Sequence, residues 1–276
     1  MAIQAIKEVI VRKFRDDSAS EMPDFLAVEE PLEIRLEYGP AENRVTRNLS
    51  VTMRTPGDDE DLTAGFLFTE GIVRHPDDLV SVRHLDAFGN VALASLHPDL
   101  KFEIKKLERH FYTTSSCGVC GKTSINAVKT VATCSVSERK FDLAPEVIYA
   151  LPEKLRRAQD TFDATGGLHA AAFFTPEGRL ISMREDVGRH NALDKLIGSH
   201  FLKGEILLDG VILLLSGRAS FELLQKAALA GIQAVCAVGA PSSLAVETAE
   251  SFGIALIGFL REKRFNLYSN ASILAR

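Results

Sequence analysis

Cys117-Gly118-Val119-Cys120-Gly121 sets two thiols three positions apart between glycines. A pair at this spacing can ligate a metal, cycle as a disulfide, or carry a reactive sulfur. The other two cysteines, Cys134 and Cys236, form no second pair. A tetrahedral zinc site needs four good ligands, so a single Cys-x-x-Cys argues against structural zinc. Lys122 and the dipole of a helix expected from Thr123 or Ser124 would lower a thiol pKa toward the working range. Gly118 and Gly121 let the backbone bend so that a sulfur reaches another protein's active site. These properties suit a sulfur carrier and a redox dithiol alike, with an inert pair behind both. The preceding polar stretch, Arg109 to Ser116, lacks the βαβ context of a thioredoxin-like pair.

A second concentration of polar residues lies at three strand-to-helix turns. They are Arg184-Glu185-Asp186-Val187-Gly188-Arg189-His190-Asn191, Ser216-Gly217-Arg218-Ala219-Ser220 and Gly239-Ala240-Pro241-Ser242-Ser243. Free N–H groups and the helix dipole make such turns phosphate sites, and Arg189 and Arg218 would add bidentate contacts. Helix capping accounts for most Ser, Asn and Asp residues at such positions. Three neighbouring turns, two with an arginine, favour a phosphate-bearing ligand over capping alone. His190 sits in a polar turn and is a functional candidate. His169, inside Leu168-His169-Ala170-Ala171-Ala172, reads as a core histidine. Downstream, Phe259-Leu260-Arg261-Glu262-Lys263-Arg264-Phe265 sets basic residues between phenylalanines, either a grip for a charged ligand or a solvated loop.

Other motifs fail. Gly121-Lys122-Thr123 echoes the end of a phosphate-binding loop, but Ser116 stands where the leading glycine belongs. Neither Gly-x-Gly-x-x-Gly nor Gly-x-Ser-x-Gly occurs, which disfavours dinucleotide-fold and serine-hydrolase readings.

The elements that would hold these turns are legible. Alternation predicts strands over 32–36 and 45–53, a helix after Thr55-Pro56-Gly57-Asp58 that stops at Gly71, and strands over 80–85 and 91–96. A short helix over 124–133 and a longer one over 145–158 follow. Then come a hairpin across Pro176-Glu177-Gly178, helices over 191–197, 221–230 and 244–252, and strands over 211–215, 234–238 and 254–259. This order implies an α/β fold with a largely parallel sheet covered on both faces. It is also similar to the cytidine-deaminase architecture, yet no His or Cys is followed two residues later by Glu, so the zinc site and deaminase chemistry are missing. The parts are 1–115, β-rich with one helix; 116–140, a mobile Cys-x-x-Cys loop and linker helix; and 141–276, the α/β domain.

A composition of 46% apolar and 25% charged residues over 276 positions fits a folded globular chain. A net charge of −5 gives no reason to expect nucleic-acid binding. No signal-like N-terminus or membrane-length apolar run is present, so a cytoplasmic protein is expected, without a membrane partner.

In combination, Cys117–Gly121, Thr165-Gly166-Gly167-Leu168-His169-Ala170-Ala171, Arg184–Lys195, Ser216–Ser220 and Gly239–Ala245 resemble the FdhD/NarQ family of formate dehydrogenase accessory sulfurtransferases. So do Thr55–Leu62 and Gly65–Gly71. The resemblance runs from about residue 30 to the C-terminus. It implies a homodimer with a cytidine-deaminase-like α/β domain that has lost its zinc, no metal of its own and no permanently held cofactor. It implies that sulfur arrives from a cysteine desulfurase as a persulfide on the Cys-x-x-Cys loop. The sulfur then passes to a molybdenum (or tungsten) bis-pterin guanine dinucleotide bound for the formate dehydrogenase catalytic subunit. Cys117 would carry the persulfide and Cys120 would be its partner. The guanine nucleotides, or GDP as a mimic, would occupy Arg189, His190, Asn191, Ser216, Gly217, Arg218, Ser220, Pro241, Ser242 and Ser243. Phe259, Leu260, Arg261, Glu262, Lys263 and Arg264 would complete the site. Cys134 and Cys236 stand outside this pattern.

Overall fold

The computed structural model describes residues 5–16, 18–100 and 142–274. The Cys117–Cys120 pair with its expected mobility, the helix expected over 124–133, Cys134, and the divisions at 115 and 140 lie outside these residues.

In strand β3 (Glu30–Tyr38) every second residue faces inward, and Leu32, Ile34 and Leu36 are fully buried. It lies between β4 (Val45–Arg54) and β6 (Val91–Leu96), with β5 (Leu79–His84) beyond, in a four-stranded sheet ordered β4-β3-β6-β5. Helix α1 (Asp59–Thr69) buries Leu62, Leu67 and Phe68 and ends at Gly71, whose φ of 73° is the left-handed conformation that stops a helix cheaply.

The second sheet has six strands ordered β12-β11-β10-β9-β7-β8. They are β7 (His169–Phe174), β8 (Leu180–Asp186), β9 (Ile212–Leu215), β10 (Ala234–Ala237), β11 (Ala255–Arg261) and β12 (Arg264–Ser269). The central β9 and β10, ILLL and AVCA, are buried throughout, as strands covered on both faces must be. Leu143 and helix α2 (Pro145–Ala158) cover one face through Ile148, Leu151 and Leu155. Helices α4 (Arg189–Phe201), α5 (Phe221–Leu229) and α6 (Ser243–Phe252) contribute to the core on the other.

The α/β class and the smaller β-rich part are as expected, but the sheet is mixed rather than largely parallel. Among the described strands of this sheet β9–β10 and β10–β11 pair in parallel, while β7–β8, β7–β9 and β11–β12 are antiparallel. The crossover from β8 through α4 passes over β7 and lays β9 beside β7 rather than beside β8. Element order alone does not report that choice. Three further elements are absent from the sequence reading. They are a ribbon of β1 (Ile6–Arg15) and β2 (Ser18–Ala27), the short helix α3 (Asp160–Thr165), and β12.

The two sheets share one core through α1 and α4, which cross at two glycines. A Cβ on Gly65 would stand 1.9 Å from the Asp194 carbonyl oxygen, and one on Gly198 1.9 Å from that of Asp61. No other residue permits backbones this close.

Candidate functional site

The β8–α4 turn is fixed from below by buried charge. The Asp186 carboxylate accepts from the Thr55 and Gly188 backbone N–H groups and lies 2.8 Å from the Lys195 ammonium, which also donates to the Thr55 carbonyl. Asn191 donates to Asp186 and to the Met53 carbonyl and accepts from the Thr52 hydroxyl. Its amide is thereby committed to the protein. It clamps the turn to the N-terminal sheet.

The remaining turns are laced to one another at the carboxyl ends of β9, β10 and β11. Gly239 donates its N–H to the Gly217 carbonyl, Ala219 to Ala240, Ser242 to Ala219, and Phe259 to Gly239. The structure therefore gathers Ser216, Gly217, Arg218, Ser220, Pro241, Ser242, Ser243 and Phe259 along one sheet edge, where ligands of open α/β sheets bind. A Cβ on Gly239 would lie 2.9–3.0 Å from Arg218, and one on Gly258 2.8 Å from the Pro241 ring, so the close approach of these turns requires glycine.

Within this edge the side chains differ in availability. The Ser216 hydroxyl accepts from the Ala170 N–H, and the Ser242 hydroxyl caps α6 by accepting from Ala245. Helices α4 and α5 have no side-chain cap at their N-termini, leaving first-turn N–H groups for an anion. His190 bridges them, with Nε2 2.9 Å from the Glu222 carboxylate and 3.3 Å from the Ser220 hydroxyl. Beside this pair the Arg189 Nε and Glu222 Oε1 atoms are buried without a hydrogen-bond partner. Orphaned polar atoms at a strand edge fit a polar ligand that would complete them. Arg218 is exposed.

Arg261, Glu262, Lys263 and Arg264 form the exposed tip of the β11–β12 hairpin, with Arg261 paired across it to Arg264. The Leu260 side chain is fully buried in the core beneath α2, so any part it plays at the site falls to its backbone. Strand alternation turns it inward while Phe259 and Arg261 stay outside.

A cavity of about 1580 Å³ opens beside this edge, between α2, α3 and the hairpin tip. His169, Ser216, Phe162, Glu262 and Lys263 line it. The wall at Phe162 stands because the Glu185 carboxylate accepts from the Thr161 and Phe162 N–H groups and the Arg156 guanidinium lies 4.4 Å from the Phe162 ring centre. His169 is half-buried on the cavity wall, and a Cβ on Gly217 would come within 3.3 Å of its Nδ1. Burial pushes its imidazole below the usual pKa, and the charges of Arg189 and His190 lower it further against the pull of Asp186. It is a lining residue with a neutral ring and not the plain core histidine its apolar neighbours suggest. The Gly166-Gly167 pair just before it was the available signal.

Among the described residues no group of three His, Cys, Asp or Glu side chains is placed to hold a metal. No helix among them is long and apolar enough to cross a membrane. Cys236 lies at the centre of the sheet, and burial pushes its thiol up to about 12.

Comparison with known proteins follows the same residues. The chain is 48% identical over 273 residues to the sulfur carrier protein FdhD of Streptomyces avermitilis, covering 96% of this chain and 94% of that one. It is 38% identical over 266 residues to the protein of the same name from Saccharolobus solfataricus, covering 96% and 97%. A crystal structure from Desulfotalea psychrophila, described as a formate dehydrogenase accessory protein, shares the fold. Its TM-score is 0.74 over 99% of this chain and 100% of that one, at 21% identity. Residues 27–275 match the FdhD/NarQ family, and with relatives this similar over nearly their whole length, the chain belongs to that family.

Proposed function

We propose that the protein is a sulfur carrier serving formate dehydrogenase, with Cys117 as the residue that bears the sulfur. The observation that carries this reading is the 48% identity over nearly the full chain to a protein named as a sulfur carrier. The Cys117 thiolate attacks the outer sulfur of a cysteine desulfurase persulfide. A new S–S bond forms on Cys117, the old one breaks, and the desulfurase cysteine leaves as thiolate. Cys120 relays the sulfur or closes a disulfide behind it. The receiving substrate is a molybdenum or tungsten bis-pterin guanine dinucleotide, which would supply the metal that takes the sulfur.

This chain's residues would bind and orient that substrate. The uncapped N-termini of α4 and α5, with Arg189 and Arg218, suit its phosphates. The buried unpartnered Arg189 Nε supports a polar occupant. His190, held by Glu222, would position the group at the α4–α5 junction.

The test is mass spectrometry after incubation with a cysteine desulfurase and cysteine. The expected result is a gain of about 32 Da per sulfur atom on Cys117, lost in Cys117→Ser and retained in Cys120→Ser. Cys117→Ser should also abolish formate dehydrogenase maturation while leaving the fold intact. Sulfur retained on Cys120 alone would reverse the two roles. Full maturation by the double mutant would leave a cofactor-binding chaperone without sulfur chemistry.

A further inference from the structure

Away from the turns, Ser182, His200 and Glu205 form a cluster of their own. The Ser182 hydroxyl lies 2.6 Å from the His200 Nε2, and the His200 Nδ1 meets the Glu205 carboxylate. The three come from β8, the last turn of α4 and the loop that follows it. That loop doubles back at once. Gly204, at a left-handed φ of 86°, donates to the Phe201 carbonyl and Glu205 donates to the His200 carbonyl. The turn thereby returns the Glu205 carboxylate to the ring of the helix just left.

These bonds fix the protons. An ionised carboxylate only accepts, so Nδ1 carries the hydrogen and the Nε2 lone pair of the neutral ring faces Ser182, whose hydroxyl donates to it. The imidazole is buried, with the Phe173 ring nearly perpendicular to it at 5.1 Å. Acid, imidazole and hydroxyl in this order turn a serine into a nucleophile, and the arrangement is recognised by geometry rather than by sequence. The absence of Gly-x-Ser-x-Gly excludes a strand-to-helix nucleophile elbow, whereas Ser182 stands partly exposed within β8. β8 ends the six-stranded sheet, and an edge strand turns unpaired backbone N–H groups outward, the donors that a developing oxyanion takes.

We propose that Ser182 is a nucleophile that accepts an acyl group from a small activated donor, an ester or thioester of a short carboxylic acid. Its Oγ attacks the carbonyl carbon as His200 takes the hydroxyl proton. The bond from that carbon to the leaving oxygen or sulfur breaks, and His200 returns the proton to the leaving atom. An acyl-serine and a free alcohol or thiol result. Water, deprotonated by the same imidazole, then releases the acid and restores the hydroxyl. Glu205 touches no reacting atom and positions the ring.

A fluorophosphonate probe tests this independently of sulfur transfer, because its phosphorus takes the serine oxygen and loses fluoride. The full-length protein is incubated with the probe and the label is mapped by peptide mass spectrometry. The expected result is label on Ser182 in the folded protein and none there in urea-unfolded protein. Ser182→Ala should remove that label, and His200→Gln should slow labelling about 100-fold or more. Glu205→Gln should slow it about tenfold or more. Thermal unfolding of Glu205→Gln should match the wild type, since this side chain is 54% exposed. Hydrolysis of p-nitrophenyl acetate by the Cys117→Ser/Cys120→Ser variant, which lacks the paired thiols, should fall when Ser182→Ala is added. Wild-type protein left unlabelled at Ser182 overturns the proposal. So does labelling equal in folded and unfolded chains or unchanged in Glu205→Gln, or hydrolysis that Ser182→Ala leaves intact.

Discussion

His169, placed among alanines, carries a prediction that its sequence context hides. Because burial holds its folded pKa below the usual imidazole value of 6.5, the unfolded chain binds more protons in that range. Stability contributed by the neutral ring is therefore present above about pH 6.5 and is lost as pH falls toward the folded pKa. Nuclear magnetic resonance titration should find His169 neutral at pH 7, and His169→Gln should flatten the acid limb of the stability profile. An imidazole that titrates at or above 6.5 would contradict this account.

Lys226 poses the opposite case. Burial alone would push its ammonium down, but Asp194, at 2.9 Å, and Glu70 more than offset this and raise it. Lys226→Met leaves Asp194 buried without its cation and should cost about 3–5 kcal/mol in denaturant unfolding. A loss below about 1 kcal/mol would mean that water reaches the carboxylate. The sequence shows neither partnership, because Asp194 and Lys226 come from separate helices. Asn191 shows the same limit: in the sequence an amide at a helix start looks the same whether it faces a ligand or a neighbouring strand.

Helix α1 owes its position to Gly65. Gly65→Ala would force the α1 and α4 backbones apart and should destabilise the protein by about 3 kcal/mol or more, beyond ordinary overpacking, because backbone atoms cannot swing aside. Thermal unfolding of this variant unchanged from wild type would show that the helices slide freely. At this scale much of the fold was legible. The apolar runs 212–215 and 234–237, the helix at 145–158 and the alternation in 32–36 each have a period that burial enforces. The ribbon was not legible, since it buries little and Pro23 breaks the strand pattern of its sequence. The six-residue α3 depends on a tertiary contact, the Glu185 cap, and has little local signal. In β12 the charged start Arg264 reads as a binding segment, while its pairing with β11 sets it as an edge strand.

The sheets are separate but the core is continuous. Leu32, Ile34, Leu62, Leu193, Phe201 and Leu224 belong to one buried cluster, and the Phe68 and Phe201 ring centres lie 5.0 Å apart. The whole chain should therefore unfold in a single transition, with far-ultraviolet dichroism and tyrosine fluorescence superimposing. Two resolved transitions would mean that the parts on either side of 101–141 behave as independent domains.

The crossing at Gly65 and Gly198 also sets an order of events during synthesis. The N-terminal sheet is complete at Leu96, but the helix that closes over α1 begins only at Arg189. At ordinary translation rates of 5–20 residues per second, the outer face of α1 waits on the order of 5–20 s for its cover. The nascent chain carries a glycine-notched apolar surface throughout that interval, and a holding chaperone would find its natural target there.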